Sequence, residues 1–312
     1  MRPARLSLAA ALALALAAPA AAAAPAVAVA PAALAATGAA GLAAAAPAPG
    51  AIALGDFMGR LRSLEVVVGD QRGTFLLDTG GGVTFATPEF AKRIGCTPWG
   101  RITGFRLTGE RLDLPRCDGV AIGLADGRVL APATIGVLDL APLLPPGAPA
   151  ADGSLALDAL DGQAFTLDLR AGTLEFETPQ SLARRTAGAV EVPIRVSRHA
   201  SSGQGLGVYA RAKTAKGDLW LEIDSGGGAP VLLRDKVAAE AGADASVAQP
   251  QPYTLVLPGS DGAGGDAQVK LDTRAIVRDM VHDGVVGMPV LVNWRLTFDL
   301  AGDRLWVAPA KP

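Results

Sequence analysis

The sequence predicts an all-β protein made of two similar halves, each containing one short helix. At 312 residues the chain is long enough for two lobes, each of roughly 100 to 150 residues. Short apolar runs separated by glycine-rich turns recur along it, and only 4% of its residues are aromatic, a profile typical of many short strands. The decisive observation is a repeat, because the segment 75–82 (Phe-Leu-Leu-Asp-Thr-Gly-Gly-Gly) returns as 220–228 (Trp-Leu-Glu-Ile-Asp-Ser-Gly-Gly-Gly).

The first 50 residues are interpreted as targeting and connecting sequence. Arg2 and Arg5 precede an apolar run that is followed by small residues suited to cleavage. Residues 1–24 are therefore predicted to be a bacterial signal peptide, which directs export to the periplasm or the medium. Pro19 breaks the apolar run, which disfavours the alternative of an uncleaved membrane anchor. Residues 25–50 are mostly alanine and proline and are predicted to be a linker or leader, with a pro-segment as the alternative.

Residues 51–180 are predicted to form the first lobe. A β-hairpin over 64–77 runs into Asp78. A short helix follows, with Thr87 as its N-cap, proline at its first position and glycine after its end. Further hairpins and short strands come next, with a proline-rich surface loop at 142–149 and a closing hairpin over 165–176.

The charged segment 181–188 is predicted to be a linker, and residues 189–312 are predicted to form the second lobe. A hairpin over 208–223 leads to Asp224, and a second short helix is predicted over 234–242. The closing parts of the two lobes align without a gap, as expected of an internal duplication. The matched residues are Asp152, Gly153, Leu160, Thr166, Asp168, Leu169 and Leu174 with Asp283, Gly284, Leu291, Thr297, Asp299, Leu300 and Leu305.

The two cysteines both lie in the first half. In an oxidising, exported setting Cys96 and Cys117 are candidate disulfide partners. Spacing alone does not show that their Cα atoms come close enough, so two free buried thiols are the alternative. Two sulfurs are too few for a zinc site, and no metal is predicted.

Several classes of function are disfavoured. A net charge of −2 provides no basic field for nucleic acid or an anionic membrane. The glycine triplets lack the Gly-Lys-Ser/Thr of a phosphate loop. A Ser-His-Asp hydrolase is disfavoured because no Gly-x-Ser-x-Gly elbow is present. The only histidines, His199 and His282, are assigned to surface or loop positions, and Asp168 and Asp299 to structural roles in their hairpins.

From about Leu64 to Val307 the chain resembles the aspartic proteases, specifically the retropepsin-like kind found in bacteria. The resemblance rests on the two Asp-Thr/Ser-Gly motifs, the helix after each, and the later Asp-Gly-apolar-apolar-Gly element. It implies two partly closed barrel lobes related by a pseudo-twofold axis, whose aspartate loops meet beneath a substrate cleft. Asp78 and Asp224 would then be the catalytic dyad, sharing a proton because two touching carboxylates do not both ionise readily. No cofactor is implied.

The neighbouring residues fit the same interpretation, with some departures. Gly80 and Gly226 would allow the loops to approach closely, and the resemblance implies that Thr79 and Ser225 hydrogen-bond across the seam. Three residues depart from the family pattern, because Gly81 and Gly227 stand where alanine or serine is commoner and Ala156 stands where the second half has Gly287. A single substrate-binding flap is expected, around Gly104 and Phe105, because the equivalent region at 259–266 is glycine-rich and is predicted to be irregular.

The sequence therefore supports two functional hypotheses. The first is an exported, monomeric aspartic endopeptidase that acts on peptides or proteins, without nucleic acid or stable membrane insertion after removal of the leader. The second is a catalytically inactive peptide-binding or scaffolding protein that retains the same fold, for which Ala156 and the extra glycines are the motivation.

Overall fold

The computed structural model describes residues 50–132, 134–198 and 205–310. It confirms the predicted all-β class, with a few short helices and two curled sheets. The predicted signal peptide, the linker up to residue 49 and His199 lie outside the described residues. Within the described residues, no helix is long and apolar enough to cross a membrane.

The first half contributes one sheet of ten strands and part of a second. It also carries one α-helix and two 3-10 turns, at Ala141–Leu143 and Leu157–Leu160. Its elements are β1 Ile52–Ala53, β2 Gly55–Phe57, β3 Leu61–Val68, β4 Gln71–Leu77, β5 Phe85–Ala86, α1 Pro88–Arg93, β6 Trp99–Phe105, β7 Arg111–Asp118, β8 Ile122–Gly123, β9 Val129–Leu130, β10 Thr134–Val137, β11 Gly153–Leu155, β12 Ala164–Asp168 and β13 Thr173–Phe176.

The second half begins with a helix and contributes most of the thirteen-stranded sheet. Its elements are α2 Pro179–Thr186, β14 Val190–Val192, β15 Ile194–Arg198, β16 Leu206–Lys213, β17 Asp218–Asp224, β18 Val231–Arg234, α3 Asp235–Ala241, β19 Gln251–Ser260, β20 Asp266–Arg278, β21 Gly284–Gly287, α4 Met288–Leu291, β22 Trp294–Asp299 and β23 Arg304–Pro309.

The two halves repeat the same strand pairing around their aspartates. The strand before Asp78, β4, runs parallel to β11, and the strand before Asp224, β17, runs parallel to β21. On the other side, β11 is antiparallel to β5 and β21 is antiparallel to β18. Each aspartate therefore sits at the end of a buried central strand, where the backbone is fixed by partners on both sides.

The closing hairpins of the two halves join in one sheet through β12 and β22. Thr166 opposes Thr297, its equivalent in the alignment, and their hydroxyl oxygens are 3.0 Å apart. Phe165 opposes Phe298 and stacks on it with ring centroids 4.9 Å apart. The residue before Thr166 faces the residue after Thr297, and the residue after Thr166 faces the residue before Thr297. A twofold axis between the halves produces this pattern.

Capping residues mark the ends of the short helices that follow the two aspartate loops. Thr87 accepts a hydrogen bond from the Phe90 backbone N–H at 3.2 Å, as predicted for the N-cap of α1. Phe90 is fully buried and packs edge-to-face on Phe75 of β4, so α1 is anchored to the strand that leads to the first aspartate. Gly242, after α3, has φ of 81°, a left-handed conformation that favours glycine.

The segment predicted as an inter-lobe linker, 181–188, lies mostly in helix α2, which begins with a capping box formed by Thr178 and Ser181. One sequence-based expectation needs correction. The region 259–266 is more regular than expected. Strand β19 pairs residue by residue with β20 as far as Ser260, and the Asp261 carboxylate accepts hydrogen bonds from Ala263 and Gly265 in the tight turn that follows. The lobe boundaries themselves stay a prediction.

Cys96 and Cys117 are joined by a disulfide, with their Cα atoms 6.1 Å apart. The bond links the segment that follows α1 to strand β7. A cross-link between residues 21 apart in sequence stabilises the folded state by about 3 kcal/mol in the chain-entropy model. It therefore fixes the base of the β6–β7 hairpin against the body of the first half.

Candidate active site

Asp78 and Asp224 lie at equivalent places in two loops that face each other. Each follows a central strand, and each carboxylate accepts a hydrogen bond within its own loop. The Gly80 backbone N–H donates to Asp78 Oδ1 at 3.1 Å, and the Gly226 N–H donates to Asp224 Oδ1 at 2.8 Å. The loops are therefore two copies of one local geometry.

Thr79 and Ser225 bind the two loops together through four hydrogen bonds. The Thr79 hydroxyl donates to the Ile223 carbonyl oxygen at 2.7 Å and accepts from the Ser225 N–H at 2.9 Å. The Ser225 hydroxyl donates to the Leu77 carbonyl oxygen at 2.9 Å and accepts from the Thr79 N–H at 3.1 Å. Both side chains are buried, so each pair of bonds is shielded from water and fixes the position of one loop relative to the other.

Gly80 and Gly226 lie where no side chain fits. A Cβ atom on Gly80 would stand 2.5 Å from Asp224 Cγ, and one on Gly226 would stand 2.5 Å from Asp78 Oδ1. Each glycine thus packs directly against the carboxyl group of the opposite loop. The sequence suggested that these glycines let the two loops approach closely, and each glycine does contact the aspartate of the opposite loop.

The two carboxyl groups lie close together, each packed against the glycine of the opposite loop, and both residues are half-buried. Asp224 lines a cleft together with Gly80 and Gly81 of the opposite loop. Burial raises the pKa of Asp224 well above its usual range, and the charge on Asp78 raises it further. Burial also raises the pKa of Asp78, but hydrogen bonds from Asp224 and from loop amides oppose the shift. Two adjacent carboxyl groups whose pKa values are both raised share one proton, and that proton belongs to the pair.

The departures at Gly81, Gly227 and Ala156 have local explanations. A Cβ on Gly227 would lie 2.7 Å from Asp224 Oδ2, and one on Gly81 would lie 3.1 Å from Asp78 Oδ2, so glycine leaves both carboxyl groups room. Ala156 is buried without a clash, and its N–H donates to the Thr84 hydroxyl at 3.0 Å. The added methyl group is accommodated in the first half.

A cavity of about 390 Å³ lies above the dyad. Strands β6 and β7 form a hairpin along it, and Gly104 and Phe105, the predicted flap residues, line the cavity from that hairpin. Phe105 is 67% exposed, so its ring is available for contact with a bound molecule. Residues 259–266 do not line the cavity, and Ser260 of β19 pairs instead with Glu191 of β14.

Three cleft residues were missed by the sequence analysis. They are Glu222, Tyr209 and His282, and all three line the wall contributed by the second half. His282 was expected to be an ordinary surface or loop residue, but it is half-buried in the cleft wall and its Nε2 lies 3.2 Å from the Tyr209 hydroxyl. One available signal was strand alternation, because Glu222 precedes Asp224 by two residues and points to the same face of β17.

The described residues contain no cluster of three or more histidine, cysteine or acidic side chains arranged to hold a metal ion. The arrangement at the cleft floor is instead a pair of protein carboxyl groups. Such a pair can hold one proton and can bind a water molecule between its oxygens.

Comparison with known proteins supports the fold but gives no family assignment. No family model matches the sequence, and no curated protein matches it. Among solved structures, basic 7S globulin from soybean is similar with a TM-score of 0.54 and 10% identity, over 83% of this chain and 94% of that one. At this identity the likeness shows the fold alone. The protein therefore has an all-β, two-lobed fold similar to that of basic 7S globulin.

Proposed function

We propose that the protein is an exported aspartic endopeptidase of the retropepsin-like kind, with both halves of the site on one chain. The single observation that carries the proposal is the junction of the two loops. The loops that carry the two carboxyl groups are joined beside a cleft by reciprocal hydrogen bonds of Thr79 and Ser225. A pair of turn aspartates with purely structural roles has no need of this arrangement.

The mechanism follows from the single proton that the two aspartates share. The ionised aspartate of the pair accepts a proton from a water molecule bound between the carboxyl groups, while the protonated aspartate donates a hydrogen bond to the peptide carbonyl oxygen. The water oxygen attacks the carbonyl carbon and gives a tetrahedral intermediate. Transfer of the proton taken from water to the amide nitrogen then allows the C–N bond to break, releasing a carboxylic acid and an amine. Substrate enters between the dyad and the β6–β7 hairpin.

The remaining parts of the proposal concern the setting of the enzyme. Residues 1–24 serve as a signal peptide, and the chain acts as a monomer on peptides or unfolded proteins in the periplasm or the medium. Residues 51–180 and 189–312 are the two lobes. The disulfide between Cys96 and Cys117 supports this setting, because such bonds persist in oxidising compartments.

The test is cleavage of an unfolded protein mixture between pH 3 and pH 7. The chain without its leader is compared with Asp78→Asn and Asp224→Asn, and we expect each substitution to abolish cutting, since each removes one of the two required proton positions. Asp70→Asn is the matched control, because Asp70 is exposed in the turn of the hairpin that leads to Asp78. Its activity should equal that of the parent.

A folded parent that cuts nothing over this pH range, either as the shortened chain or as the full chain tested for self-processing, would refute the peptidase proposal. Retention of activity by a folded Asp78→Asn or Asp224→Asn chain would refute the dyad. Peptide binding without cleavage would then favour the second hypothesis, a peptide-binding protein with the same fold.

A further inference from the structure

The two walls of the cleft differ in chemistry. The wall from the first half is built mainly of aliphatic and aromatic side chains, namely Val83, Phe85, Ile102, Leu112, Leu114 and Leu138. The wall from the second half carries Tyr209, Glu222 and His282 beside Asp224. A peptide lying across the dyad therefore meets an apolar surface on one side of its scissile bond and an acidic, hydrogen-bonding surface on the other.

Glu222 is held in this wall by its strand and by its neighbours. It lies on β17 directly opposite Tyr209 of β16, and only 8% of its surface is exposed. The Tyr209 hydroxyl lies 3.2 Å from His282 Nε2, which in turn lies 3.9 Å from Oε2 of Glu222. The equivalent residue of the first half is Leu76, so the carboxyl group is not a requirement of the repeated fold.

The charge of this group depends on pH within the neutral range. Burial raises the pKa of Glu222 to about 7, and the nearby charge on Asp78 contributes. The other titratable groups that face it do not supply a cation. Burial raises the pKa of Tyr209, the pKa of Asp224 is raised, and burial lowers the pKa of His282 despite the opposing charge of Asp283. None of the described residues that line the cavity is lysine or arginine.

We propose that Glu222, Tyr209 and His282 form a subsite for the side chain of lysine or arginine, next to the scissile bond, with an apolar residue preferred on the opposite side. The inference rests on the proposed peptidase function for the nature of the ligand. An ammonium or guanidinium group bound there forms a charge-assisted hydrogen bond with Glu222, while its aliphatic stem packs on the Tyr209 ring. The carboxylate thus gains the positive partner that the cavity lining does not provide.

The first test measures binding, so that it does not depend on turnover. Peptides whose scissile bond is replaced by a hydroxyethylene group are made in pairs, with lysine or norleucine beside that group, and in both orders relative to an apolar residue. In one order we expect lysine to bind about tenfold more tightly than norleucine at pH 7.5, the size of a hydrogen bond to a charged group. The preference should shrink at pH 5, because Glu222 is then protonated.

Glu222→Gln is the critical variant, because it keeps the shape and one hydrogen-bond acceptor but removes the charge. We expect it to lose the preference for lysine at pH 7.5. Glu240→Gln is the control, since Glu240 is exposed on α3 outside the cavity, and it should keep the parent's preference. The absence of a lysine preference in both orders, or a preference that is unchanged in Glu222→Gln, would overturn the proposal.

A second variant keeps the proposal testable should Glu222→Gln fold poorly. Tyr209→Phe removes the hydroxyl whose hydrogen bond lowers the pKa of Glu222, so the lysine preference should appear at a higher pH than in the parent. An unchanged pH dependence would count against the subsite. A chain that binds lysine peptides in this manner without cutting them would refute the peptidase function while supporting the subsite, so the two failures are distinguishable.

Discussion

The loops of the two halves are alike at the aspartates but are supported in different ways. In the first half a side-chain network holds the loop, with the Thr84 N–H and hydroxyl donating to Asp158 Oδ1 at 2.9 and 2.6 Å. At the equivalent place in the second half, the hydrogen bonds described join main-chain groups. The Met288 N–H donates to the Gly227 carbonyl oxygen at 2.8 Å, and the Gly287 N–H donates to the Pro230 carbonyl oxygen at 2.9 Å.

This difference explains why the repeated motif tolerates alanine in one half only. A Cβ on Gly287 would collide with the Ala229 carbonyl oxygen and stand 2.7 Å from the Gly227 carbonyl oxygen. In the first half the Ala156 N–H bonds to the Thr84 hydroxyl instead of a main-chain oxygen, and the methyl group is buried without conflict. The two halves are alike in the aspartate loops but differ in the residues that support those loops.

The largest expected effect comes from exchanging these two positions. Gly287→Ala forces the backbone of β21 away from the Asp224 loop, so we expect a loss of about 3 kcal/mol in the free energy of unfolding and severely reduced cleavage. Ala156→Gly should cost only about 0.5 to 1 kcal/mol, from the added freedom of the unfolded chain. Chemical denaturation of both variants measures the difference. Similar losses in the two variants would show that the halves are supported alike.

A second contrast between the halves is Glu222 against Leu76, and it predicts how stability depends on pH. A carboxyl group with a raised pKa binds its proton more tightly in the folded chain than in the unfolded chain, so the stability it provides falls as pH rises. For Glu222, whose pKa is raised from 4.5 to about 7, the loss amounts to up to about 3 kcal/mol by pH 7.5. The raised pKa values of Asp78, Asp158 and Asp224 act in the same direction.

Unfolding midpoints between pH 4.5 and pH 7.5 test this directly. We expect the parent to lose stability towards neutral pH and Glu222→Gln to lose less, becoming more stable than the parent at pH 7.5. The Glu240→Gln chain should follow the parent. A parent that gains stability as pH rises through this window, or a Glu222→Gln chain with the parent's slope, would contradict the assignment.

The Thr84–Asp158 network gives a smaller effect, confined to the first half. Thr84→Val removes the hydroxyl and leaves the half-buried Asp158 carboxyl group and the Ala156 N–H without that partner, at a cost of about 2 kcal/mol. Thr254→Val is the matched control, because its hydroxyl donates to Asp272 at 2.7 Å on an exposed part of β19. The control should change the unfolding free energy by less than about 0.5 kcal/mol. Equal losses of unfolding free energy in the two variants would show that the Thr84–Asp158 network stabilises the fold no more than an exposed hydrogen bond does.

The smallest effect on stability is expected at the two hairpin tips, which differ in their position relative to the cleft. Phe105→Ala, in the exposed β6–β7 hairpin, should change the unfolding free energy by less than about 0.5 kcal/mol but raise KM for peptide cleavage, since the ring lines the cleft. Asp261→Ala alters the β19–β20 turn, outside the cavity lining, and should leave KM unchanged. An unaltered KM in Phe105→Ala would remove the β6–β7 hairpin from the list of substrate contacts.

Local chemistry made much of this fold predictable from the sequence. The N-cap at Thr87, the hairpins that end on the two aspartates and the aligned closing segments all follow from residues near one another in the chain. The pairing of Thr79 with Ser225 was inferred from the family resemblance. Each of these features is indicated either by residues close together in the sequence or by the repeat of one half in the other.

The features that were missed depend on contacts between distant segments. Gly259 marked an irregular loop in the sequence, yet in the structure glycine is needed there because the Glu191 backbone passes too close for any side chain. Glu222 could be assigned to the same strand face as Asp224, but the partners that place it in the cleft wall come from β16 and from the loop before β21. Pairing of β12 with β22 joins segments 131 residues apart, as Thr166 and Thr297 show.

The pairing of the closing hairpins has a consequence for how the site responds to dilution. Because β12 and β22 belong to one chain, their association is intramolecular and does not depend on protein concentration. The two aspartate loops therefore remain together however dilute the protein becomes. Specific activity should be the same at nanomolar and micromolar enzyme. An enzyme whose site is assembled from two separate chains would lose specific activity on dilution, because its subunits dissociate.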